Sequence, residues 1–321
     1  MPTSARAVAS ALTGAALFGT AGTAAVLFTR AEPDAAAIPP LAIGAARLGV
    51  GGLALLVAGV VVHRGMGSFA RVARSPVGLL AAGCVALYQV CFFGGVRTAG
   101  VAVATLVAVG SAPVCTGLLA WAALRERPTR SWAAATAVCV AGLALATVAA
   151  GGTSGGAEVG AEVGAGAVLG AVLALGAGVA IAGYTVCAKH LLTTGADGLP
   201  FMASTYLLAW LVLAPFVVAG PTAWLIRPGG LAVAAYLGLA TMALANVLYL
   251  RGISHLAPGP VSTLGLADPV VATVLGVVVL GERPALGAWL GFALVAAGLV
   301  WQAAAAARGA VSTPPEPVTP L

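Results

Sequence analysis

The sequence predicts an all-α, polytopic membrane protein with ten transmembrane helices arranged as two inverted five-helix repeats. Three observations carry this. The 321 residues are 61% hydrophobic and only 7% charged, whereas a water-soluble domain is about a quarter charged. Apolar runs of roughly 20 residues, each long enough to cross ~30 Å of hydrocarbon, recur along the chain. One stretch also occurs twice. Pro113-Val114, an apolar run to Leu124, Arg125-Glu126-Arg127-Pro128 and Ala141-Gly142-Leu143 form the first copy. Shifted by 156 residues without a gap, Pro269-Val270, a run to Leu280, Gly281-Glu282-Arg283-Pro284 and Ala297-Gly298-Leu299 form the second. Apolar matches weigh little in a chain so rich in Ala, Val, Leu and Gly; the register of Pro, Glu-Arg-Pro and Gly carries the weight. The same shift sets Gly14, Ala15, Leu17, Ala21 and Gly22 on Gly170, Ala171, Leu173, Ala177 and Gly178.

Taken in order, the first half holds helices over roughly 8–29, 38–62, 76–97, 100–124 and 130–150. The second holds roughly 163–188, 198–219, 229–251, 257–280 and 285–307. Strands of a membrane barrel would alternate in polarity, and these runs do not. A helix satisfies its backbone polar groups within the segment, as lipid requires. Pro39-Pro40 and Pro200 fall where helices begin, where a missing N–H does no harm. The organisation is therefore a first repeat over 1–150, a Gly-rich linker over 151–162, a second repeat over 163–307 and a Pro- and Thr-rich tail over 308–321, expected to be disordered. The run from Val8 to Phe28 has the apolarity of a signal peptide, but it is the repeat partner of the segment near 163–188 and reads as the first helix.

Lys and Arg set the orientation. With the N-terminus inside, cytoplasmic segments carry Arg6, Arg64, Arg71, Arg74, Arg125, Arg127, Arg130, Lys189, Arg251 and Arg308, and external ones carry Arg30, Arg97, Arg227 and Arg283. Positive residues favour the cytoplasm, so both termini are expected there. Five helices per half is an odd number, so the second half enters the membrane upside down relative to the first. Inverted halves of this kind form a site at mid-membrane and exchange roles as it opens to either face.

Other classes fit less well. The basic residues are scattered between apolar runs rather than gathered into a nucleic-acid patch. Cys84, Cys91, Cys115, Cys139 and Cys187 all lie in apolar runs without metal-ligand or CxxC spacing, as small buried apolar residues do. No GxxxxGK[ST] loop is present to hydrolyse ATP. The three histidines are far apart in sequence, so no catalytic cluster, metal or cofactor is expected. Gly152-Thr153-Ser154-Gly155 matches a short motif of intramembrane serine proteases, but it lies in the linker and no His is placed on a partner helix.

The repeated Pro-Val…Leu-x-Glu-Arg-Pro…Ala-Gly-Leu pattern resembles the EamA-type transporters of the drug/metabolite transporter superfamily, over about 8–150 and 163–307. The resemblance implies a ten-helix carrier of the bacterial plasma (inner) membrane, exporting amino acids, other metabolites or drugs. It also implies a central cavity walled by helices three, four, eight and nine. Some relatives are permeases for sugars or nucleotide-linked compounds, and a non-transporting membrane subunit is a further alternative. The small four-helix exporters of the superfamily use a buried glutamate in their first helix. This chain has none between Val8 and Phe28, so their proton chemistry does not carry over.

Asp268 is the sharpest candidate. It lies midway along the ninth helix beside Pro269, where a carboxylate costs roughly 2.5–3.5 kcal/mol on insertion scales and should face a cavity or a partner. Proline there is expected to free the Gly265 carbonyl. A substrate amine, a proton, or a structural capping role would each suit Asp268. Arg47, about 10 Å along its helix from the outer end, suits a substrate carboxylate held by two parallel bonds. Snorkelling, or pairing with Asp268 itself, suits it equally. Tyr88, Gln89, Ser111 and Asn246 are expected on the cavity wall, though interhelical packing would also explain them. Pro113 and Pro269 read as kinks. Glu126-Arg127 and Glu282-Arg283 sit where charges anchor helix ends. Trp121, Trp210, Trp224, Trp289 and Trp301 are expected in an interfacial belt. Gly166-x-x-x-Gly170 and Gly287-x-x-x-Gly291 read as close-packing surfaces or a dimer face. His63 and His190 read as solvated, and His255 as the one histidine to test for pH sensing. The expected partners are a small-molecule substrate and the lipid bilayer, with protons and a second copy of the chain as candidates.

Overall fold

In a computed structural model, residues 3–32, 38–63, 67–151, 165–218, 222–281 and 283–309 are described. They form α-helices and short 3-10 and π turns, and there is no strand among the described residues. The helices are α1 (Thr3–Ala31), α2 (Pro40–His63), α3 (Gly67–Arg74), α4 (Pro76–Leu124), α5 (Arg130–Gly151), α6 (Ala165–Thr193), α7 (Gly198–Val218), α8 (Pro228–Gly238), α9 (Ala245–His255), α10 (Pro258–Leu264), α11 (Ala267–Leu280) and α12 (Leu286–Gly309). Ten segments are long and apolar enough to cross a membrane. Many large apolar side chains face outward: Val278 is 75% exposed and Val300 69%. A surface of this kind needs lipid as its solvent.

Local chemistry explains where the helices start and stop. Pro40, Pro76, Pro228 and Pro258 each open a helix, as expected where an N–H has no partner. Ser75 caps α4 by accepting from the Gly78 N–H at 2.9 Å. A straight α4 would far exceed the bilayer at 1.5 Å per residue. At Gly100 the backbone takes φ 81°, ψ 162°, which divides α4 into spans Pro76–Gly100 and Val103–Leu124. Only glycine adopts such angles without strain.

The repeat seen in sequence recurs in backbone conformation. Arg125 ends α4 in the left-handed region (φ 59°), its N–H donating to the Ala120 carbonyl. Gly281, its partner in the shift, ends α11 at φ 74° with its N–H on Gly276. Both are helix stops of the left-handed type, and Glu-Arg-Pro follows each directly. Glu282, the 152–155 motif, nearly all the linker and the tail beyond Gly309 lie outside the described residues.

The helices pack through small residues. A β-carbon on Gly142 would lie 2.6 Å from the Gly291 carbonyl, and one on Gly298 would lie 3.0 Å from that of Ala135. These are the same contact with the halves interchanged, since 142 shifts to 298 and 135 to 291. The Cys139 thiol donates to the Val295 carbonyl at 3.6 Å in the same interface. Thus α5 meets its counterpart α12, and α2 likewise meets α7. The first helix of each half does not stay with its own half. Helix α6 packs on both spans of α4, and α1 packs on α9 and α11. Gly170 and Gly291 lie within these intramolecular contacts, against Ala99 and Ala146.

One helix was not expected. Helix α3 buries Phe69 and Val72 and exposes Arg71 and Arg74. Its Phe69 carbonyl accepts from Ser204 Oγ at 3.1 Å. Eight residues are too few for a spanning signal, so a search for long apolar runs passes over it.

Candidate functional site

The ninth span is broken. Helix α10 stops at Leu264, two turn residues follow, and α11 starts at Ala267. Asp268 therefore stands in the first turn of α11, where the helix dipole favours a carboxylate. Proline at 269 does not leave the Gly265 carbonyl free, contrary to the expectation from sequence. That carbonyl accepts from the Asp268 N–H at 3.0 Å, a tighter turn replacing the lost bond. The Leu266 N–H likewise reaches back to Thr263 at 3.0 Å. Tyr249 supports the break by donating its hydroxyl to the Val261 carbonyl at 3.1 Å, its ring set edge-on to Phe18 at 6.0 Å.

Arg47 faces this break from α2. Asp268 and the neutral phenols of Tyr88 and Tyr206 lie near enough to Arg47 to interact with it electrostatically, and Tyr88 is likewise near both Arg47 and Asp268. Arg47 Nε is buried without a hydrogen-bond partner. A guanidinium donor buried and unused is costly, and it leaves Arg47 with hydrogen-bonding capacity to spare. Arg47, Tyr88 and Asp268, three residues far apart in sequence, are thus gathered into one electrostatic unit. Gln89, 5% exposed, lies one helical turn away: its Nε2 would be 3.0 Å from a β-carbon on Gly44.

The other sequence candidates sit differently. Asn246 is buried, and its amide donates to the Met242 carbonyl of its own helix at 2.7 Å. That carbonyl belongs to the π turn Leu239–Leu244, where the widened helix offers an acceptor. Ser111 bonds back to Ala108 at 3.3 Å and abuts Gly178 of α6. Pro113 is buried inside α4, with the Thr116 hydroxyl taking the Ala112 carbonyl at 2.7 Å. His190 is exposed, and exposed His255 has Nδ1 beside Ser254 Oγ and the Arg251 carbonyl.

Two buried phenols, one of them near Arg47, were not singled out from the sequence. Tyr206 and Tyr184 are buried, and their hydroxyls share a hydrogen bond of 2.8 Å. Tyr206 lies close enough to Arg47 for its charge to be felt. A phenol on an apolar helix carries a polar tip that needs a partner, which was the available signal. Among the described residues no group of three or more His, Cys, Asp or Glu could hold a metal ion.

At the far end of the bundle, beyond α4, Glu126 is half-buried, with Oε2 unpartnered. Burial pushes its carboxyl above the usual range, against the opposing pull of Lys189.

Comparison with known proteins follows the same outline. The profile of the EamA-like transporter family matches residues 5–148 and 168–302, one match per half. A Bacillus subtilis (strain 168) protein named "Uncharacterized transporter YwfM" is 36% identical over 289 residues, 90% of each chain. A solved crystal structure superposes with a TM-score of 0.76 at 22% identity, covering 96% of this chain and 99% of the other. That likeness concerns the fold alone.

Proposed function

This chain belongs to the EamA-like transporter family, and from that membership we propose that it is a secondary carrier exporting a small zwitterionic metabolite, such as an amino acid, across the bacterial plasma membrane. The carrying observation is the buried, unpartnered Arg47 Nε on a side chain that interacts electrostatically with Asp268. Arg47 would take a substrate carboxylate and Asp268 an amine, with Tyr88 and Gln89 setting orientation. The reciprocal packing of α5 on α12 and the break between α10 and α11 support two inverted halves around that site. With both termini cytoplasmic, the halves would expose it alternately to each face.

The test is an efflux screen of amino acids and amines in cells with and without the gene, followed by purified protein in liposomes. Asp268→Asn and Arg47→Lys are expected to abolish or cut transport at least ~10-fold while insertion and expression hold. Unchanged transport and pH dependence in Asp268→Asn would remove the carboxylate from the mechanism. Liposomes loaded on either side separate export from import, and sugars or nucleotide-linked compounds in the screen address the permease alternative.

A further inference from the structure

We infer that Lys189 is the crossbolt that holds one end of the carrier shut. Its Nζ donates to the carbonyls of Ile253 and Leu256 at 3.0 and 3.1 Å. These are orphan acceptors at the end of α9, so a local reading is a helix cap made by a distant side chain. The packing gives the contact a larger consequence. Lys189 rides on α6, which is bound to α4, while α9 is bound to α1. The two hydrogen bonds therefore tie one assembly of spans to the other, at the end opposite the outer start of α2.

The surroundings are built for a contact that opens. Above the crossbolt, two hydroxyl contacts join α4 and α5 to α10: Thr116 to Ser262 at 3.3 Å, and Thr136 with Thr263 at 2.8 Å. Trp132 packs against Gly259 across the same seam, leaving no room for a β-carbon, and its Nε1 has no partner. Glu126 Oε2, beside Lys189, is unpartnered too. Buried polar atoms without partners penalise the closed arrangement and are relieved when water enters. Closure then depends on the strongest of these contacts, the charge-assisted pair from Lys189. Rupture of that pair lets α6 with α4 part from α9 with α10, which opens the path from this end to Arg47 and Asp268. In the orientation argued from the basic residues this end is cytoplasmic. The inference rests on the carrier reading, but its readout is a distance rather than transport.

The experiment uses the full chain in lipid nanodiscs, its five cysteines replaced by alanine or serine and spin labels attached at Thr194→Cys and Ser254→Cys. Both positions are exposed, one just after α6 and one near the end of α9. In the Lys189→Met variant, which removes both charge-assisted hydrogen bonds, the ratio of long to short distances should rise by at least about 10-fold. Lys189→Arg, which keeps the donors, should retain the short distribution. An unchanged distribution in Lys189→Met overturns the crossbolt. If that variant is not monodisperse, Lys189→Gln is read by the same criterion: a widened distribution supports the inference and an unchanged one overturns it. Lost transport with normal distances in the Asp268→Asn variant would bear on the binding site alone.

Discussion

Gly19 and Asp268 meet backbone to backbone: a β-carbon on Gly19 would lie 2.5 Å from the Asp268 carbonyl and 2.9 Å from Val271 Cβ. The helix carrying Asp268 is thus seated directly on α1, with no side chain from residue 19 between them. Whatever positions Asp268 against Arg47 includes the absence of an atom at residue 19.

Gly19→Ala should therefore disturb the site without touching a charge. The backbone cannot yield as a flexible side chain would, so an overpacking cost of about 1–3 kcal/mol is expected, with a lower thermal midpoint and reduced transport. Gly22→Ala is the control, since its β-carbon meets nothing within 4 Å and should leave both readings unchanged. Equal effects in the two variants would show that glycine content, not the seating of α11, matters.

Arg47 and Asp268 should behave as a coupled pair in a double-variant stability cycle. Each charge acts on the other in the bundle interior, so Arg47→Gln or Asp268→Asn alone leaves a charge uncompensated. The double variant should be more stable than the sum of the singles by about 1 kcal/mol. Strict additivity in thermal unfolding would mean that the two do not sense each other.

For the buried phenols, Tyr206→Phe should cost roughly 1–3 kcal/mol, because it strands the Tyr184 hydroxyl. Replacing both by Phe should recover much of that. The double variant also removes a polar neighbour of Arg47, so its transport should stay impaired while its stability returns.

Glu126 gives a pH signature. Its carboxyl is raised in the folded protein by burial, so folding favours the protonated form. Such a group adds stability at pH below its unfolded pKa and loses that contribution as pH rises through the folded value. Relative to Glu126→Gln, the parent should lose thermal stability as pH rises above the ordinary glutamate pKa of about 4.3. A parent that gains instead would mean that Lys189 outweighs burial.

Arg125→Gly should stabilise the protein by about 1 kcal/mol, since Arg125 occupies a left-handed conformation (φ 59°) that its repeat partner Gly281 takes freely. The thermal midpoint checks it.

The sequence by itself determined the class of the protein and the count of its spans, because each segment had to be apolar over a bilayer's width and each helix end had to be marked by proline, glycine or charge. Pro40, Pro76, Pro228 and Pro258 mark starts, and the shared Pro and Glu-Arg-Pro mark the two halves. It also exposed Asp268 and Arg47, since charge in hydrocarbon is conspicuous. Only the tertiary structure decided which helix lies against which. A helix bathed in lipid and neighbours that are equally apolar carries no polar face to point outward, so the sequence of α1 does not reveal that it leaves its own half for α9 and α11. Nor does it reveal that Tyr206 lies close enough to Arg47 to act on it, or that Lys189, in sequence one more basic residue at a helix end, reaches carbonyls at the end of α9. Those relations are set by how closely backbones approach at Gly14, Gly19, Gly142 and Gly291, and that depends on pairs of helices rather than on either one.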